Sequence, residues 1–270
     1  MEDLHARAAA GDSRAKAELE GLRRKYVYEQ GDLTRSDPDL ARVLHVVGSA
    51  LLARATAAGG LRRLRERRDL EPVFVAALQA DYGEHVLRET RLDVPGWPSV
   101  SRGGFDVVVR TDAKGGDVRW AFELKWCHDD LDLLHEAIWD AFKLALIRTR
   151  PDIEGAFLVT GASSALWAQG FCRDIFETGV HSSEELCARR FRTGGRRVAW
   201  DWLLEGGGDR WPDWVPTELS TTLVAAEPLV LGDEAWELRA VGVSPAADAE
   251  LPFLDGWPRG ARPRDARHPF

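Results

Sequence analysis

Three side chains on two short apolar runs need a chemical explanation. Asp106 stands among Phe105, Val107, Val108 and Val109, and after sixteen intervening residues Glu123, then Lys125, stand within the run Val118 to Trp126. If both runs are strands, alternation of side chains puts Phe122, Leu124 and Trp126 on one face and Ala121, Glu123, Lys125 and Cys127 on the other. A carboxylate on a strand covered by helices loses its hydration and is costly unless a cation answers it. Two such acids repel each other, so Asp106 and Glu123 fit together when a divalent cation such as Mg2+ lies between them with a lysine alongside. Lysine is scarce here, five of thirty-six bases, so Lys125 stands out against an arginine default.

The elements that position these residues follow from periodicity. Asp12 or Ser13 is placed to cap a first helix through Leu19 and Leu22, and Asp37-Pro38 to open a second with Leu40, Val43, Leu44, Val47 and Leu51 on one stripe. Five arginines then crowd the seven positions from Arg62 to Arg68, a pattern that fits either a solvated face or a phosphate-contacting patch. The spacing predicts a helix over Glu71 to Tyr82 ended by Gly83, a strand over Val86 to Val94, and a hairpin of Phe105 to Arg110 with Val118 to Trp126. A helix follows over Leu131 to Thr149, then a buried strand, Ala156 to Thr160, and a covering helix, Ala165 to Glu177. Beyond these, Arg196 to Leu204 reads as a strand and Thr221 to Val243 as two strands around Gly232-Asp233, in a tail that holds most of the eleven tryptophans. The expected organisation is a helical region over 1–70, a core over 71–180, an extension packed on it over 181–255, and a tail over 256–270.

An acid on one strand, then Glu-X-Lys on the next after a hairpin, with a glutamate-bearing helix before and a long helix and buried strand after, resembles the PD-(D/E)XK nuclease superfamily. The motif reads Phe105-Asp106, then Glu123-Leu124-Lys125, and the resemblance covers about Glu71 to Glu177. Phe105 stands where that family's proline would be. The resemblance implies an α/β fold with a mixed central sheet flanked by helices. It implies that Asp106, Glu123, the carbonyl of Leu124 and Glu71 hold Mg2+ or Mn2+, with Glu84 and Glu89 as alternatives to Glu71. Lys125 would orient or deprotonate the attacking water and steady the transition-state charge, making Asp106, Glu123 and Lys125 the catalytic set. The implied activity is metal-dependent hydrolysis of nucleic-acid phosphodiesters, DNA above all. The alternative is an inactive nuclease fold that binds nucleic acid or serves as a scaffold in a larger assembly, with a protein partner or a second copy.

Glu136, Asp140 and Lys143 fall on one face of the long helix, where Lys143 is placed either to reach a substrate phosphate or to pair with Asp140 at the surface. Arg189, Arg190 and Arg192 around Phe191 form a second candidate nucleic-acid contact. Cys127, His128 and His135 lack the close ligand spacing of a zinc site. A formal charge of −8 excludes a surface that is basic throughout. The longest apolar stretch, Val43 to Ala53, contains His45, Gly48 and Ser49 and is shorter than the ~20 residues of a membrane span. With three unpaired-looking cysteines and no basic-then-apolar leader at Met1, the expected compartment is a reducing cytoplasm.

Overall fold

The computed structural model describes residues 39–94, 104–111, 117–128, 131–150, 152–169, 175–182, 186 and 218–246. The helix placed near Asp12 and Ser13, the basic run at Arg189, Arg190 and Arg192, the strand placed at Arg196 to Leu204 and the terminal tail lie outside them. Helix α1 is Leu40–Ala58, and its cap is Asp39, whose carboxylate accepts from the Arg42 N–H, two residues after the expected Asp37. Its buried residues include Leu40, Val43, Leu44, Val47 and Leu51, the stripe read from the sequence. Gly59 ends it at φ +82, a left-handed conformation that glycine adopts at least cost. By length and composition α1 is the one described helix that could cross a bilayer, but its apolar stripe is committed to the protein core.

Helix α2 spans Glu71–Tyr82, and strands β1 to β3 are Val86–Arg91, Gly104–Arg110 and Val118–Trp126. Helix α3, Leu131–Ile147, leads to β4, Gly155–Ser163, which is buried at every position. Helix α4 is a single turn, Ser164–Trp167, capped by Ser163. The chain ends its described part with β5, Gly179–Ser182, and the hairpin of β6, Glu218–Leu231, with β7, Glu234–Pro245. The protein is thus of the α/β class: one seven-stranded sheet in the order β1-β2-β3-β4-β7-β6-β5, flanked by helices. Only β3 and β4 run parallel, and all other neighbours are antiparallel.

The helix expected over Ala165 to Glu177 is not continuous among the described residues: α4 stops at Trp167, and residues 168–169 and 175–178 are turns and bends. Its apolar residues are used in tertiary contacts instead. The Trp167 indole donates to the Glu237 carbonyl at 3.1 Å, and Phe176 meets it edge-on with centroids 4.9 Å apart. The C-terminal hairpin joins the sheet directly: β7 pairs with β4 from Phe157↔Gly242 to Ser163↔Trp236.

Two apolar layers enclose the sheet. On one face α3 packs Ile138, Phe142 and Ile147 over Val108, Ala121, Leu158 and Val241. On the other, α1 and α2 pack Leu44, Leu51 and Phe74 over Phe122, Trp126, Leu238 and Trp236. The rings of Trp126 and Trp236 stack nearly parallel, 4.9 Å apart and 8° from coplanar. Trp126 can lie flat only because its neighbour across the β3–β4 ladder is Gly161. A methyl group there would fall well inside van der Waals contact with the Trp126 ring. Because Trp236 blocks the ring's retreat, Gly161→Ala should cost roughly 1–3 kcal/mol. A melt in which this variant loses several degrees checks it, with Gly232→Ala as a strained but sterically open comparison.

Candidate active site

The site forms where β2 and β3 part. Their pairing runs from Arg110↔Val118, across a register shift, to Val107↔Phe122 and goes no further, so Asp106 and Glu123 stand where the next pair would be. On the other side of β2, the pairing with β1 skips Glu89 and Asp106, and Glu89 takes φ +44. Asp106 fills the gap by accepting the Leu124 N–H at 2.7 Å. Asp106, Glu123 and Lys125, separated in sequence by the hairpin, are therefore brought together at one end of the sheet, beneath α3.

Their partners are not those expected from the strand alone. Glu123 forms an ion pair with Lys143 of α3, whose ammonium also donates to the Gly104 carbonyl at 2.7 Å and lies 5.0 Å from the Phe105 ring centroid. Lys143 is only 9% exposed, so it is neither a surface partner of Asp140 nor turned out toward solvent. Lys125 lies 3.4 Å from Asp140 and 3.8 Å from Glu66. Glu66 is the residue that sequence reasoning missed. It enters from a single π turn, Glu66–Leu70, before α2, and accepts from the Trp126 N–H at 3.3 Å. Its one visible signal was to be the lone acid in the arginine-rich run.

Glu71, the expected helix glutamate, is held elsewhere. It is buried against Arg88, whose guanidinium contacts it at 2.7 Å through both Nε and Nη2. Among the described residues the carboxylate facing Lys125 from before α2 is Glu66, one helical turn and a half upstream. The alternatives Glu84 and Glu89 are both exposed.

Four carboxylates, Glu66, Asp106, Glu123 and Asp140, thus share a site with two lysines, Lys125 and Lys143. Burial is the main cause that pushes Glu66 up to about 7, with Asp106 and Asp140 adding to it and Lys125 opposing. Burial also raises Asp106 against the Leu124 N–H bond, and raises Glu123 well above the usual carboxylate range against the pull of Lys143. For Lys143, burial favours the neutral amine, but Glu123 and Asp140 outweigh it and keep the ammonium above its ordinary value. Of this tightly paired couple the lysine direction is the decisive one, since three carboxylates act on a single amine.

Among the described residues no three His, Cys, Asp or Glu side chains converge into a ready-made metal cage. The donor set still fits Mg2+ or Mn2+ in kind, because it consists of hard carboxylate oxygens whose mutual repulsion a cation would relieve. Lys143 already supplies such a positive charge to Glu123. No family model, curated protein or solved structure matches the chain.

The raised Glu66 predicts a pH dependence. The unfolded chain releases this proton near 4.5 and the folded chain near 7, so stability is lost as pH rises through that interval. Glu66→Gln keeps an acceptor for the Trp126 N–H and removes the titration. The variant should match wild type near pH 4 and exceed it at pH 8 by on the order of 2 kcal/mol. Melting curves across this range that stay parallel would show that Glu66 titrates normally.

Proposed function

We propose that this chain hydrolyses nucleic-acid phosphodiesters with the help of a divalent cation held by Asp106 and Glu123. The observation that carries the reading is the gathering of four carboxylates, Glu123 buried and Glu66, Asp106 and Asp140 half-buried, around Lys125 and Lys143 where two neighbouring strands part, on a mixed sheet flanked by helices. The resemblance to PD-(D/E)XK nucleases rests on Asp106, Glu123 and Lys125 among them. Mg2+ or Mn2+, when bound, supplies the positive charge that polarises a phosphoryl oxygen and acidifies water. Asp106 and Glu123 present carboxylate oxygens, and the Leu124 carbonyl lies on the same strand between Glu123 and Lys125. Lys125, placed between Glu66 and Asp140, orients the attacking water and stabilises charge that develops on the phosphoryl oxygens. Glu66, with a pKa of about 7, is matched to accepting that water's proton near neutral pH. Glu71 takes no part, since Arg88 occupies its carboxylate.

A second reading has its own observation in its favour. The Lys143 ammonium already neutralises Glu123, as in a nuclease-like fold that keeps its shape without a cation and serves as a nucleic-acid-binding or scaffold component.

Calorimetric titration with Mn2+ and cleavage assays on single- and double-stranded DNA and RNA separate the two. Wild type should bind Mn2+ and cleave. Asp106→Asn, which keeps an acceptor for the Leu124 N–H, should lose metal binding with little change in melting temperature. Lys125→Arg keeps the charge, but the bulkier planar guanidinium cannot take the place of a compact ammonium between Glu66 and Asp140, so cleavage should fall by about a hundredfold or more. Equal cleavage by wild type and Lys125→Arg removes the lysine from the chemistry. Absence of both Mn2+ binding and cleavage in wild type selects the scaffold reading.

A further inference from the structure

The arginine-rich turn that delivers Glu66 is built in a way that its own folding does not require. Leu61, Leu64 and Leu70 are buried and pin it to the core, while Arg62, Arg63, Arg65, Arg67 and Arg68 are all exposed. Asp69 fixes its shape by accepting from the Arg65 N–H at 2.7 Å and from Arg68 Nε at 3.0 Å. Arg65 is fixed too: its Nη1 donates to the carbonyls of Arg62 and Leu64 and lies 3.3 Å from His128 Nε2. Acids paired with these arginines include Asp69, Glu234 and Glu89. Two of these contacts are loose: Arg62 to Glu234 and Arg67 to Glu89 are each 3.9 Å, and the Arg67 side chain is 81% exposed.

Like charges crowded on one short turn repel one another, a local cost that the fold of the turn does not require. Their position does suggest a use. Glu66 sits between Arg65 and Arg67 in sequence and points its carboxylate to Lys125 and the Trp126 N–H. The exposed guanidiniums therefore border the same end of the sheet as the acids. An acid-lined site repels a polyanion, and a rim of arginines offsets that repulsion while holding phosphates beside it.

We propose that the turn Leu61 to Arg68 is a docking surface for a nucleic-acid backbone, with Arg62, Arg63 and Arg67 contacting phosphates and His128 with Arg65 bracing the turn from below. The proposal rests on the nucleic-acid reading of the site, but not on cleavage, so it is tested without metal. Fluorescence anisotropy of a labelled duplex and a labelled single strand, in EDTA, is followed over about 50 to 200 mM KCl. The variant Arg62→Gln/Arg63→Gln/Arg67→Gln is compared with a charge-matched control, Arg42→Gln/Arg119→Gln/Arg150→Gln, whose arginines pair with Asp81, Glu154 and Asp152. The turn variant should bind duplex at least tenfold more weakly at about 100 mM KCl, and its slope of log affinity against log salt should be shallower by roughly two to three. The control should keep the wild-type slope. Arg67→Gln alone, at a side chain 81% exposed, should remove about one unit of slope and guards against misfolding of the triple variant. An equal flattening in turn variant and control, an unchanged slope in the turn variant, or no binding of either probe by wild type would each overturn the proposal. If wild type cleaves with Mn2+ while the turn variant keeps its slope, the docking surface is lost and the nuclease reading stands. If wild type binds in EDTA through the turn but never cleaves, the surface stands and catalysis is lost.

Discussion

A carboxylate on the third strand of a seven-stranded sheet has no water to solvate it, and Lys143 is the answer. Burying either partner alone would cost several kcal/mol. Glu123 therefore requires that α3 cross β3 with Lys143 above it, and Asp140, one turn earlier, then meets Lys125. The same requirement explains why α3 shares an apolar layer with Val108, Ala121 and Leu158: its hydrophobic contacts bring it down far enough for the lysine to reach. The helix is fixed twice, by dispersion and by charge. The parting of β2 from β3 depends on this as well, since Gly104, at the start of β2, gives its carbonyl to the same ammonium.

Much of the frame was legible in the sequence. Helix α2 and strand β3 have the boundaries that periodicity and Gly83 imply, and the stripe of α1 is the one read from Leu40 to Leu51. These succeed because their pattern is local: burial on one face leaves a period that neighbours in sequence record. Asp106, Glu123 and Lys125 were visible for the same reason, as charges inside apolar runs. What was not legible depended on distant partners. Glu71 looks like the helix glutamate in sequence, but whether it turns to the sheet end or to Arg88 is decided by β1, seventeen residues on. Lys143 looks like a surface lysine until Glu123 and Gly104 are brought beneath it. The stretch from Ala165 has the composition of a helix, yet the Trp167 indole finds a carbonyl on β7 and Phe176 folds back on it, a tertiary preference that local propensity does not contain.

The site also joins segments that the sequence separates widely. Glu66 comes from the turn after α1, Asp106 and Glu123 from a hairpin, and Asp140 and Lys143 from a helix. The turn carrying Glu66 is held in turn by the last hairpin: the Leu61 N–H donates to Glu234 at 2.5 Å, and Glu234 lies within 3.1 Å of the space beside Gly60. A side chain at position 60 would meet that carboxylate, and φ +134 there suits glycine alone. The base of the arginine turn is thus anchored by the first residue of β7.

The order in which the chain is made gives that anchor a further meaning. β4 lies inside the sheet, but the strand that covers its second edge, β7, follows more than seventy residues later, at Glu234–Pro245. As the chain emerges, the first four strands can assemble while β4 still presents an unpaired edge, the kind of surface that invites association with other chains. Glu234 is absent at that stage, and the turn bearing Glu66 lacks its tether. The turn bearing Glu66 and the arginines therefore gains this tether only after nearly all of the described chain has been synthesised, and a nascent chain interrupted before β7 carries every acid of the site while that turn lacks its anchor.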